Sequence, residues 1–91
     1  MRRLEYTNQF KSDLLRIQKN PSHRKLNQIL QSTIDLLLQN KPLPIKLRDY
    51  ALKGKYLGTR ECHLKPDLLL IYMRTNDALV LIRLGSHSEL F

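Results

Sequence analysis

Two apolar runs close to the end of the chain, LLLIYM at 68–73 and ALVLIRL at 78–84, restrict the fold more than any other feature. The first is continuous rather than alternating, the pattern of a central strand covered on both faces. Lys65 and Pro66 make the turn before it, and Thr75, Asn76 and Asp77 make the turn between the two runs. A further strand is expected over 56–63, entered past Gly54 and Gly58. The three pieces read as an antiparallel meander that Gly85 ends, with SHSELF left as a short tail.

Upstream, Arg3, Leu4, Glu5 and Tyr6 alternate polar and apolar, which suits a short edge strand. Thr7 or Asn8 can cap a helix whose inward positions are Phe10, Leu14 and Ile17. That helix should stop near Asn20, because Pro21 cannot continue it, and Ser22 offers a cap for a longer second helix. Leu26, Ile29, Leu30, Ile34, Leu37 and Leu38 form its apolar stripe, and it should end around Asn40. KPLPIKL then places two prolines in an extended surface loop. Strand, helix, helix and three strands predict an α+β fold, a helical hairpin packed on one face of a small antiparallel sheet. The other face is expected to stay open to solvent. At 91 residues, one domain over 1–91 with a single modest core is expected.

The charge balance narrows the partners. Sixteen Lys and Arg oppose eight Asp and Glu, a net +8 that favours a polyanion such as nucleic acid, an anionic surface or an acidic protein. The excess is concentrated between 41 and 65, where Lys41, Lys46, Arg48, Lys53, Lys55, Arg60 and Lys65 face only Asp49 and Glu61. The single Cys62 excludes an internal disulfide and reads as a small buried hydrophobe in a reducing compartment, so a cytoplasmic location is expected. MRRLEYTNQFKSD lacks the apolar core of a signal peptide, and no segment approaches the ~18 to 20 apolar residues of a membrane span. Neither a zinc-binding Cys/His spacing nor a glycine-rich phosphate loop is present, so no metal and no cofactor is expected.

Set into or just beyond the apolar runs are His63, Asp67, Arg83, His87 and a terminal Phe91. Two imidazoles, a carboxylate and a guanidinium on one sheet suffice to move a proton and hold a phosphate. Each has an ordinary reading as well. A histidine at a strand end is more often a surface residue, Asp67 can simply close a turn, and Phe91 can plug the core edge. Arg83 can pair with Glu89 or with a carboxylate of a partner. His23, near the start of the second helix, reads as a solvated side chain.

The segments RECHLKPDLLLIY and RLGSHSELF, preceded by LRDYALKGKYLG, resemble the YafQ branch of the RelE/ParE toxin superfamily across essentially the whole chain. The resemblance implies a ribosome-dependent endoribonuclease of a type II toxin–antitoxin pair, cutting messenger RNA and neutralised by a tightly bound antitoxin. It also implies that activity resides in two histidines, an aspartate, an arginine and a C-terminal phenylalanine, the places held here by His63, Asp67, Arg83, His87 and Phe91. His63 and His87 are then the acid/base pair, Arg83 the phosphate clamp, Asp67 a partner that fixes a histidine tautomer or takes a proton, and Phe91 a stacking ring. Lys53, Lys55, Arg60 and Lys65 are expected to contact RNA phosphates, and Tyr50 to contribute a hydroxyl. Two positions depart from the family: Tyr50 stands where many relatives have a further histidine, and Leu68 where a tryptophan is common. Two other readings stay open, a toxin that poisons DNA gyrase and a basic RNA-binding module with a weakened site. The histidine pair weighs against the first.

Overall fold

In the computed structural model, which describes residues 2–23, 25–39 and 42–91, the run at 68–73 lies at the centre of a five-stranded sheet. The strands are β1 (Arg3–Tyr6), β2 (Tyr50–Ala51), β3 (Arg60–Lys65), β4 (Leu68–Arg74) and β5 (Ala78–Gly85), in the order β1-β5-β4-β3-β2. The last three make the expected meander. β1 is an edge strand as expected, and it joins β5 in parallel. A parallel neighbour cannot be reached by a tight turn, and here the helices and the rest of the sheet intervene. The two-residue β2 is an addition at the opposite edge. β3 begins later than 56, because Gly54–Tyr56 forms a 3₁₀ turn and Gly54 and Gly58 hold φ of 69° and 89°, which bend the entry.

The helices are α1 (Asn8–Gln18) and α2 (Leu26–Leu38). Thr7 caps α1, its hydroxyl accepting from the Phe10 N–H at 3.0 Å. α2 starts after a 3₁₀ turn over Pro21–His23, later than a cap at Ser22 requires, and Lys25 at its N-cap supplies no side-chain bond. The side chain of Ser22, and Asn40 and Lys41, lie outside the described residues. Phe10 and Ile17 of α1 and Leu26, Leu30, Ile34 and Leu37 of α2 are buried against Cys62, Leu64, Leu68, Leu70, Tyr72, Leu79, Leu81 and Leu84 of the sheet. Leu81 and Leu84 are an odd number of residues apart, yet both reach this core. A register shift at Ile71/Tyr72 inserts Ile82 as an extra residue in β5 and restores their common side.

The opposite face is not open. Leu69 and Ile71 are fully buried there beneath Leu90, with Leu52, Tyr56 and Ile82 alongside. The unbroken apolar run of β4 demands this, since alternate residues of a strand point to opposite faces and neither set is polar. The cover comes from the supposed tail: His87–Leu90 forms a helical turn, α3, closed by a capping box in which Ser86 and Glu89 satisfy one another's backbone N–H groups. The last residues are thus packed structure.

Burial pushes the Cys62 thiol up to about 12, with Asp49 and Glu61 adding to the effect. The folded protein should therefore resist iodoacetamide at pH 8 and react at once when denatured. Rapid labelling of the native chain would contradict this packing.

Candidate active site

The second face carries the polar side chains. The register sets Tyr50, Glu61, Ile71 and Arg83 side by side across β2, β3, β4 and β5, and sets His63, Leu69 and Gly85 in the adjacent row. Residues paired across antiparallel strands share a face. A small apolar patch at Leu69 and Ile71 is therefore flanked by Glu61 and His63 on one side and Arg83 on the other.

Arg83 is fixed from the opposite layer. Its Nε and Nη2 donate to the two oxygens of Asp13 at 2.8 and 3.2 Å. The same carboxylate accepts the backbone N–H of Leu84 at 3.0 Å. β1 pairs with β5 only as far as Leu81, so Asp13 caps the strand edge where its neighbour has ended. These bonds raise the guanidinium further above its ordinary pKa, with the Tyr56 hydroxyl a smaller contributor. Arg83 is thus permanently charged and held beside Tyr56. Glu89 is taken instead by Arg16, which also bonds Asp13. The capping bond from the Ser86 backbone and the Arg16 guanidinium hold the Glu89 carboxyl below its ordinary range.

At the end of the sheet, α3 and the turn between β3 and β4 converge. Asp67 in that turn accepts the backbone N–H of His87 at 3.2 Å. The carboxylate therefore anchors the main chain of α3 rather than a histidine ring. The His87 ring lies 5.1 Å from that of Phe91, and Phe91 meets Tyr56 edge-on at 5.5 Å. Tyr56 in turn donates its hydroxyl to the Leu90 carbonyl at 3.3 Å. Phe91 remains 53% exposed, so one of its faces is available.

His63 belongs to the neighbouring row, with β4 between its strand and the one leading into His87. Its Nε2 lies 3.9 Å from Oε2 of Glu61, with side-chain exposures of 12% and 2%. Neither atom has a hydrogen-bond partner. Tyr50 pairs with Glu61 in the β2–β3 register, and interaction with that carboxylate raises the phenol above its ordinary pKa. Asp67, His87 and Phe91 thus form one contiguous group, Arg83 borders it through Tyr56, and His63 stands across the apolar patch.

The basic residues divide. Lys53 and Lys55 are exposed, and Lys55 sits 5.2 Å over the Tyr56 ring. Arg60 is engaged with both oxygens of Asp49 at 3.0 and 3.3 Å, and the buried Tyr72 hydroxyl donates to Asp49 at 2.6 Å. Lys65 Nζ lies 3.1 Å from Nδ1 of His23, which is half-buried rather than fully solvated.

Sequence reasoning missed Asp13, Tyr56 and Glu61. Asp13 sits inside the Phe10, Leu14, Ile17 stripe, and a carboxylate on a buried face signals a buried partner. Glu61 is two residues before His63, so the strand puts both on one face. For Tyr56 no comparable signal exists. Asp13→Asn should destabilise the fold by about 1–3 kcal/mol, because a charged acceptor serving Arg83, Arg16 and the Leu84 N–H at the seam is lost. Urea denaturation would measure it, and an unchanged midpoint would mean that apolar packing alone holds the seam.

The family model described as the bacterial toxin of type II toxin–antitoxin system, YafQ, matches residues 2–91. The mRNA interferase toxin YafQ of Escherichia coli K12 is 37% identical over 91 residues, covering 99% of this chain and 96% of that protein. The crystal structure of the E. coli DinJ–YafQ complex contains a chain 37% identical, with TM-score 0.87 over 100% of this chain and 99% of that one. A copper-bound mutant toxin from Helicobacter pylori is 41% identical, with TM-score 0.91 over the whole of both chains. Among the described residues here, no three His, Cys, Asp or Glu side chains come together as a metal site would require. Matched from end to end in sequence and fold, this chain belongs to the YafQ family of bacterial type II toxin–antitoxin toxins.

Proposed function

We propose that this toxin is an endoribonuclease that cleaves messenger RNA through the 2′-hydroxyl next to the scissile bond, on messages presented by the ribosome. The observation that carries the reading is the grouping of Asp67, His87 and Phe91 at one end of the sheet, with Arg83 and His63 bordering the same face. The mRNA interferase name of the E. coli relative supports the substrate class.

In the reaction a base removes the 2′-hydroxyl proton, and the 2′-oxygen bonds to phosphorus. The bond from phosphorus to the 5′-oxygen breaks, and an acid protonates the departing oxygen. The products are a 2′,3′-cyclic phosphate and a free 5′-hydroxyl. His63 and His87 are the acid/base pair, since imidazole is the side chain able to serve either role near neutral pH. Arg83 is the clamp on the phosphate oxygens: Asp13 takes its Nε and one Nη2 hydrogen, and the remaining N–H groups of the fork serve the substrate. Asp67 fixes the chain at His87. Phe91, braced by Tyr56, stacks on a nucleobase. Lys53 and Lys55 draw in the RNA backbone, while Arg60 and Lys65 contribute charge from positions already tied to neighbours. Tyr50 acts through Glu61.

The partner is a cognate antitoxin, as the DinJ–YafQ complex supports for the family. An acidic segment that orders on docking suits a surface with net charge +8.

Primer extension on translated messages, with and without ribosomes, tests the reading. His87→Ala should lower cleavage by about 10² to 10⁴-fold and keep the fold, and Arg83→Ala should lose about as much as one oxyanion donor, 10² to 10³-fold. Growth arrest that persists in both variants with messages intact would transfer the toxin to the gyrase-directed class. Phe91→Ala should weaken RNA binding by about 1–3 kcal/mol without altering the pH dependence of cleavage. An equal affinity would leave Phe91 as packing only.

A further inference from the structure

The pair at Glu61 and His63 has no explanation in packing. Glu61 is 2% exposed in side chain, and its Oε2 has no hydrogen-bond donor. Leaving a buried carboxylate oxygen unmatched is costly, so a donor is expected to serve it. The imidazole Nε2 of His63, itself buried and unmatched, lies 3.9 Å away. A small closure makes the bond, and such contacts in free enzymes are often long and tighten in the complex with substrate.

We propose that Glu61 is the positioning residue for His63, accepting its Nε2–H and thereby leaving Nδ1 as the nitrogen that takes the proton from the 2′-hydroxyl. The inference rests on the nuclease reading above and assigns its base. A neutral imidazole carries one N–H, so a proton held on Nε2 by a carboxylate leaves the lone pair on Nδ1. When the base takes its proton, Glu61 stabilises the imidazolium without itself being protonated, the role a buried carboxylate plays beside other catalytic histidines. His87, reached across β4, is left as the acid that protonates the 5′-oxygen.

Tyr50 completes the arrangement. It pairs directly with Glu61 in the β2–β3 register, so its side chain stands beside the carboxylate on the same face. A tyrosine at this position places a hydroxyl beside Glu61. Hydroxyl, carboxylate and imidazole thus stand in sequence from the sheet edge inward on one face.

Two measurements on the full-length chain test the proposal. Long-range ¹H–¹⁵N correlation of the histidine rings should show neutral His63 with its proton on Nε2, and Glu61→Gln should shift that pattern. Cleavage of ribosome-presented message by Glu61→Gln should fall by about 10²-fold or more in kcat with KM little changed. Tyr50→Phe should fall by a smaller factor of about 10 to 100, as loss of an orienting contact does. The proposal is overturned if wild-type His63 carries its proton on Nδ1, or if Glu61→Gln cuts at the wild-type rate. Should Glu61→Gln not fold, the wild-type ring spectrum decides alone. A wild-type chain that cuts no RNA would end the nuclease reading and the proton step together, and the ring spectrum would still decide whether Glu61 holds His63.

Discussion

The burial of Leu68–Tyr72 on both faces of the sheet is the constraint from which the rest follows. A strand with no polar side must be covered twice, and this short chain has two helices for one face and little for the other. The second face is closed by a single helical turn that contributes one buried leucine, Leu90. Burying one such side chain contributes roughly 1.5–3 kcal/mol, enough to order a turn that also has a capping box. It is too little to cover the sheet. Glu61, His63 and Arg83 flank Leu69 and Ile71 on that face, so the proposed site lies beside the small second core.

The same economy appears at the seam between α1 and the sheet. β1 stops short of the end of β5, and the Leu84 N–H would be left unmatched if Asp13 did not reach it. Once Asp13 is buried there, its charge requires a cation, and Arg83 and Arg16 supply it. Arg16 then also binds Glu89 on α3. One helix therefore orients the guanidinium of the site through Asp13 and ties down the turn bearing His87 through Arg16. A buried ion pair contributes little net stability, but it fixes geometry, because either partner left alone is strongly disfavoured.

The α+β order, the meander and both apolar stripes were legible in the sequence, because alternation and helical spacing respond directly to burial. Family resemblance singles out His63, Asp67, Arg83, His87 and Phe91 as a candidate set, and the structure gathers Asp67, His87 and Phe91 into contact. What escaped were features that depend on partners distant in sequence. The parallel pairing of β1, the bulge at Ile82 and the bond from Asp13 to Leu84 are decided by how strands of unequal length meet. The tail was misjudged for a related reason: SHSELF is polar by composition, and its one buried leucine acquires meaning only once Leu69 and Ile71 need cover. Arg60 stands in a basic run that reads as phosphate-binding, and what the sequence does not show is its pairing with Asp49, held in turn by Tyr72.

The division among the cations bears on how such a site meets RNA. Charges that act at long range need only be numerous and on one side, and the exposed Lys53 and Lys55 suit that purpose, being open to screening by salt. A charge that stabilises a developing phosphorane must instead be fixed before the reaction, since reorienting it would add to the barrier. Of the cations bordering the site, Arg83 has this character, being bonded in two places to a buried carboxylate. On the proposed nuclease reading, salt should then weaken encounter with RNA far more than it slows the bound complex, a separation that follows from exposed lysines outside and one braced arginine within.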